Sequence, residues 1–237
     1  MQQEADNAGL AASLRETMAE LVVARVPHPE TAAAKRAVRS WQNQRLARTY
    51  ADLSRNLRYS AAVEFFLREL YGDVDLTARD ADVARVLPLM IKLLPTVALQ
   101  TIRDALAFEA LSERLDTELA RHLGNHPVDQ IAYGEAFRAC GQRDMREQQI
   151  RCVNQIGSAL DRTTRWPLIG TTLKLMRAPA RAARLEKLQG FLEGGYAAFR
   201  KMRGAEEFLA TIAEREATII ERLFAGHPRP FDLEETA

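Results

Sequence analysis

Apolar residues recur every three or four positions along almost the whole chain, and nowhere do they alternate with polar ones over the length of a strand. The pattern predicts helices throughout, broken by Pro, which lacks an N–H, and by Gly, which tolerates left-handed caps. A weak helix spans about Ala8 to Arg25, and the loop VPHPE leads into a long segment from Glu30 to Tyr71. In that segment Leu46, Tyr50, Leu53 and Leu57 follow one another at spacings of four, three and four, a short coiled-coil-like seam. The phase then shifts to Val63, Phe66, Leu67 and Leu70, which predicts a break near Tyr59-Ser60, with Gly72 as the cap.

Beyond the loop DVDL, Thr77 with Asp80 resembles a capping box. Pro88 and Pro95 predict a short helix and a fresh start, and Leu99, Ile102, Leu106, Leu111, Leu115 and Leu119 form one apolar stripe ended by Gly124-Asn125. His126-Pro127 reads as the start of a helix that Gly141 closes. Further helices are expected from Gln142 to Arg162, from Trp166-Pro167 to Ala178-Pro179, from there through Leu185, Leu188, Leu192, Phe199 and Met202, and from Ala205 to Ala225. The expected architecture is all-α: a single multi-helix bundle of about eight to ten helices with no sheet. Within it, residues 1–29 are an N-terminal helix and loop, 30–225 the helical domain, and 226–237 a flexible acidic tail.

Composition adds little to that picture. The 237 residues are 47% hydrophobic and 27% charged, ordinary for a globular chain, and the net charge of +1 implies neither nucleic acid nor membrane by itself. Charge distribution is more informative. Lys35 to Arg58 holds seven bases and one acid, and Arg162 to Arg203 ten bases and two acids. Gly72 to His122 instead holds nine acids to six bases, and the last 34 residues eight to three. Acidic and basic helices can neutralise one another in one bundle. Arg45, Arg48 and Arg55, roughly opposite the seam, form a candidate basic face for an acidic partner; nucleic acid is not expected, because no helix-turn-helix pattern is present. Cys140 and Cys152, outside any CxxC motif, read as thiols of a reducing compartment, and an Arg-rich chain without a secretory leader or an apolar run of spanning length reads as bacterial and cytoplasmic, with no membrane partner.

Catalytic and cofactor signatures are missing. Three of the four histidines, His28, His126 and His227, precede Pro and so belong to loops, while His122 is separated from His126 by Gly124-Asn125. There is no Glu-x-x-His, no Gly-x-Ser-x-Gly and no phosphate-cradling glycine loop, so neither metal nor cofactor is called for and no catalytic residue is assigned. Phe66, Tyr71, Gly190, Gly194 and Tyr196 are candidate pocket residues, since Gly190 and Gly194 share a bare helix face on which a hydrophobic ligand or a haem-like tetrapyrrole could lie.

The run Phe65-Phe66-Leu67-Arg68-Glu69-Leu70-Tyr71-Gly72, followed by Asp75, Arg79-Asp80, Asp82, Arg85 and Leu87-Pro88, resembles a stretch of uncharacterised all-helical bacterial proteins. The resemblance implies the all-helical fold and carries no activity with it. The seam and the missing catalytic constellation give the expected function: binding rather than catalysis, to a protein partner or to a second copy through Leu46, Tyr50, Leu53 and Leu57. The alternatives are a small-molecule-binding bundle and, further off, an acidic partner or nucleic acid held on basic helix faces.

Overall fold

The computed structural model describes residues 2–72 and 76–233. Among these there are eleven helices and no strand: α1 (Gln2–Arg25), α2 (Ala32–Thr49), α3 (Ala51–Arg55), α4 (Ser60–Glu69), α5 (Leu76–Leu93), α6 (Thr96–Leu123), α7 (Gln130–Cys140), α8 (Arg143–Thr164), α9 (Ile169–Ala182), α10 (Glu186–Met202) and α11 (Glu206–Phe224). The 28-residue α6 is the axis against which α1, α2, α7 and α8 pack. Its Leu99, Leu106, Leu111, Leu115 and Leu119 are buried, as the apolar stripe requires.

Three apolar clusters follow from this arrangement. α1 contributes Leu10, Leu14, Met18 and Leu21 against Leu87, Leu99, Leu106 and Ala110, so the N-terminal helix belongs to the bundle. Burying side chains such as Leu14 and Leu21 contributes roughly 1.5–3 kcal/mol each. A second cluster joins Val38, Leu119, Tyr133, Phe137, Ile219 and Leu223. The third joins Tyr50, Leu53, Tyr59, Val63 and Phe65 to Phe199, Met202, Phe208 and Leu209. Bare glycine backbone lets side chains pack closely in this cluster. A Cβ at Gly157 would lie 2.5 Å from a Leu209 methyl, and one at Gly195 would lie 3.2 Å from the Phe65 ring.

Several boundaries differ from the sequence expectation. The long second segment breaks at Tyr50 and again between Asn56 and Tyr59, so Leu57 falls in a turn and is 84% exposed. Thr77 lies inside α5 instead of capping it, and of the loop DVDL residues 73–75 lie outside the described residues, as does Asp75. α7 is capped by Asp129, whose carboxylate accepts from the N–H groups of Ile131 and Ala132, in place of His126-Pro127; a charged acceptor satisfies two of the helix's free donors at once. Pro179 does not divide α9, because it sits on an exposed helix where the carbonyl it leaves unbonded is open to water; the chain turns instead at Arg184, with φ of +57°. The tail is fixed through Phe231 and Leu233, which pack on the second cluster, while residues 234–237 lie outside the described residues.

Candidate functional site

Polar residues occupy the centre of the bundle as well as its surface. On α6, Glu109, Glu113 and Asp116 follow at spacings of four and three, and on α2 Lys35, Arg39 and Gln42 do the same. Each set therefore forms one stripe, and the two stripes face each other. Lys35 pairs with Glu113 at 2.5 Å, Arg39 with Glu113 at 3.3 Å, and Gln42 donates to Asp116 at 3.1 Å and to the Tyr133 hydroxyl at 3.3 Å. At the α1 end, Arg25 is held by Asp80, Glu109 and Glu113, and Arg79 by Glu109 at 2.9 Å. Further along, Arg45 pairs with Glu216 of α11 at 2.5 Å, and Tyr50 donates to the same carboxylate at 2.7 Å. Burial pushes the carboxyls of Asp80 and Asp116 above their ordinary values and does the same for the phenols of Tyr50, Tyr71 and Tyr133. Arg45 Nε is the one buried side-chain polar atom among the described residues without a hydrogen-bond partner. This polar column registers α2, α6, α7 and α11 against one another. Its charged and polar groups are engaged with one another.

A second, surface site lies elsewhere on the chain. α8, α9 and α10 enclose a cleft of about 960 Å³ lined by Arg165, Lys174, Arg177, Arg200, Lys201 and Arg203 against only Asp161 and Glu193. Both acids are already engaged. Arg165 pairs with Asp161 at 2.5 Å, and Arg177 grips Glu193 through two bonds of 2.7 and 2.6 Å. Hydrogen bonds from Arg177 and Gln189 hold the Glu193 carboxyl down at about 2, so it stays ionised and paired. Lys174, Arg200, Lys201 and Arg203 make no salt bridge among the described residues, leaving the cleft strongly cationic. Its floor carries the Tyr196 ring, with Arg200 donating to the hydroxyl at 2.9 Å and stacked 5.9 Å above the ring. Gly170 lets α9 approach this tyrosine, since a Cβ there would lie 2.6 Å from the hydroxyl. On and just before α9, Trp166, Leu168, Leu175 and Met176 are exposed.

The candidates read from sequence are dispersed. Phe66 stacks on Phe208 and meets Phe199 edge-on in the third core cluster. Tyr71 faces the polar column, within reach of Glu216, Arg45 and Asp116. Gly194 is covered by the Phe65 ring at 3.3 Å, Gly190 lies on open surface, and only Tyr196 lines the cleft. The five do not form one pocket, and the bare face of α10 takes an aromatic side chain of α4 where a ligand was expected. Within the seam, Leu46, Tyr50 and Leu53 pack inside the chain and Leu57 is exposed, so no continuous seam is left for a second copy. Arg48 and Arg55 are exposed, but Arg45 is buried against Glu216, because the turn at Tyr50 brings α11 over the end of α2; the three do not form one solvated face. Arg79 and Asp80 pair with Glu109 and Arg25, and only Asp82 and Arg85 pair with each other. His122 and His126 share a smaller cleft with Asp129 and Glu135. No group of three or more His, Cys, Asp or Glu among the described residues is arranged to hold a metal. Cys140 and Cys152 are both unpaired and half-buried.

The sequence showed the basic segment that lines the cleft but not the cleft itself, because it is made by α9 folding back onto α10. The polar column was legible in principle: the matched stripes on α2 and α6 have the spacing of an inward face.

The family model described as "Domain of unknown function (DUF8198)" matches residues 23–230, and the chain belongs to that family. No curated protein and no solved structure matches it.

Proposed function

We propose that the protein works by binding rather than by catalysis, and that its working surface is the basic cleft of α8, α9 and α10, which receives an acidic partner. One observation carries this reading: four cations, Lys174, Arg200, Lys201 and Arg203, share one concave surface whose only two acids are already paired. Cations left uncompensated beside low-dielectric walls focus a positive potential outward and steer anionic partners to the site. Across the polar column, by contrast, Lys35 and Arg39 of α2 are paired with Glu113 of α6.

Retention on a polyglutamate matrix tests the reading. The wild-type chain should bind at low salt and elute as salt shortens the screening length below about 8 Å. The triple variant Lys174→Glu, Arg200→Glu, Lys201→Glu should flow through while keeping its helical circular dichroism. Equal retention of the two proteins would end the proposal. An Arg48→Glu, Arg55→Glu control should be retained like wild type.

A further inference from the structure

We infer that the chain also docks on an anionic lipid surface, on which α9 lies with its outward face down. This goes beyond the basic-cleft reading, because the face concerned is the side of α9 turned away from the cleft. From Arg162 to Leu185 the chain holds six bases and no acid. α9 is tied to the bundle on one side only, through buried Ala180, the Leu173 carbonyl that accepts from Gln189, and the Arg177–Glu193 pair. Leu168 and Leu175, seven positions apart and so on one helix face, point the other way and are 74% and 72% exposed. Trp166 stands exposed in the turn just before α9. Lys174 and Arg181, also seven apart, run along its flank, and Arg184 follows at the helix end, all three exposed.

Apolar side chains facing outward, a tryptophan at one end and cations alongside are the features of a helix lying in a membrane interface. No acid in the segment repels phosphate, and juxtaposed Lys and Arg are drawn to anionic lipid. No described helix is long and apolar enough to cross a membrane, so the attachment is peripheral.

Trp166 supplies the test. Trp41 is stacked on Tyr133 at 4.2 Å, so a Trp41→Phe protein reports on Trp166 alone. Mixed with phosphatidylcholine–phosphatidylglycerol vesicles at low salt, it should float with the vesicles and show blue-shifted emission that brominated lipid quenches. Pure phosphatidylcholine vesicles should bind it at least about tenfold more weakly. Leu168→Asp, Leu175→Asp should lower vesicle binding by more than about tenfold yet leave retention on polyglutamate unchanged. Failure to float on anionic vesicles while polyglutamate retention persists would overturn the lipid assignment and leave the basic cleft as a protein-binding site. Loss of both would overturn the cleft reading itself. Equal vesicle binding by the double variant would likewise refute a role for the outward face of α9.

Discussion

Replacing Arg45 by Met tests the polar column at its most buried point. Arg45 is 9% exposed, pairs with Glu216 at 2.5 Å, and shares that carboxylate with the Tyr50 hydroxyl, which donates to it. Met fills much of the same space without the charge, so the change isolates electrostatics from packing. A carboxylate left buried beside a phenol and no cation costs about 3–5 kcal/mol. Arg48→Met and Arg55→Met, on exposed positions of the same stretch, should each stay within about 0.5 kcal/mol. Urea denaturation followed by helical circular dichroism gives all three values. Adding Glu216→Met to Arg45→Met should return much of the lost stability, since the unpaired charge is then gone; this coupling is read from a double-mutant cycle. An Arg45→Met protein as stable as wild type, or a cycle with no coupling, would refute the assignment of Arg45 to the interior.

Leu53→Ala should destabilise by about 2–5 kcal/mol at every protein concentration, whereas Leu57→Asp should cost no more than about 0.5 kcal/mol; urea melts at two concentrations check both. Gly157→Ala forces a Cβ into the buried Leu209 side chain and should cost about 1–3 kcal/mol from overpacking, less up to about 1 kcal/mol from better helix propensity, in the same assay. Asp116 is held above its ordinary pKa by burial, with Arg146, Gln42, Glu113 and Arg39 around it. The proton therefore binds the folded chain more tightly than the unfolded one, and the associated stability is complete below about pH 3.9 and lost as pH rises through the folded-state value. Asp116→Asn should thus raise the neutral-pH urea midpoint and flatten its pH dependence.

The all-helical fold was legible because apolar spacing of three and four persists through nearly every segment, and α6 in particular could be drawn almost to its ends. Terminators were less legible. Gly141 stops α7 in the left-handed region as expected, but Pro179 passes through α9 because that helix is exposed. Leu57 continues the spacing of Leu46, Tyr50 and Leu53 without continuing their helix, since periodicity cannot register a turn between two short helices. Arg45 shows a second limit: opposition to an apolar stripe predicts solvent only until another helix covers that side, and α11 does. The cleft depends on contacts between residues such as Gly170 and Tyr196, 26 positions apart, which no local pattern encodes.

Hydrogen exchange measured with and without polyglutamate at low salt tests the central claim most directly, because it locates the bound surface without presupposing it. Slowed exchange confined to α9 and the C-terminal half of α10, disappearing when salt is raised, is the predicted result. Protection centred on α2 and α3 around Arg48 and Arg55, or none anywhere, would contradict it.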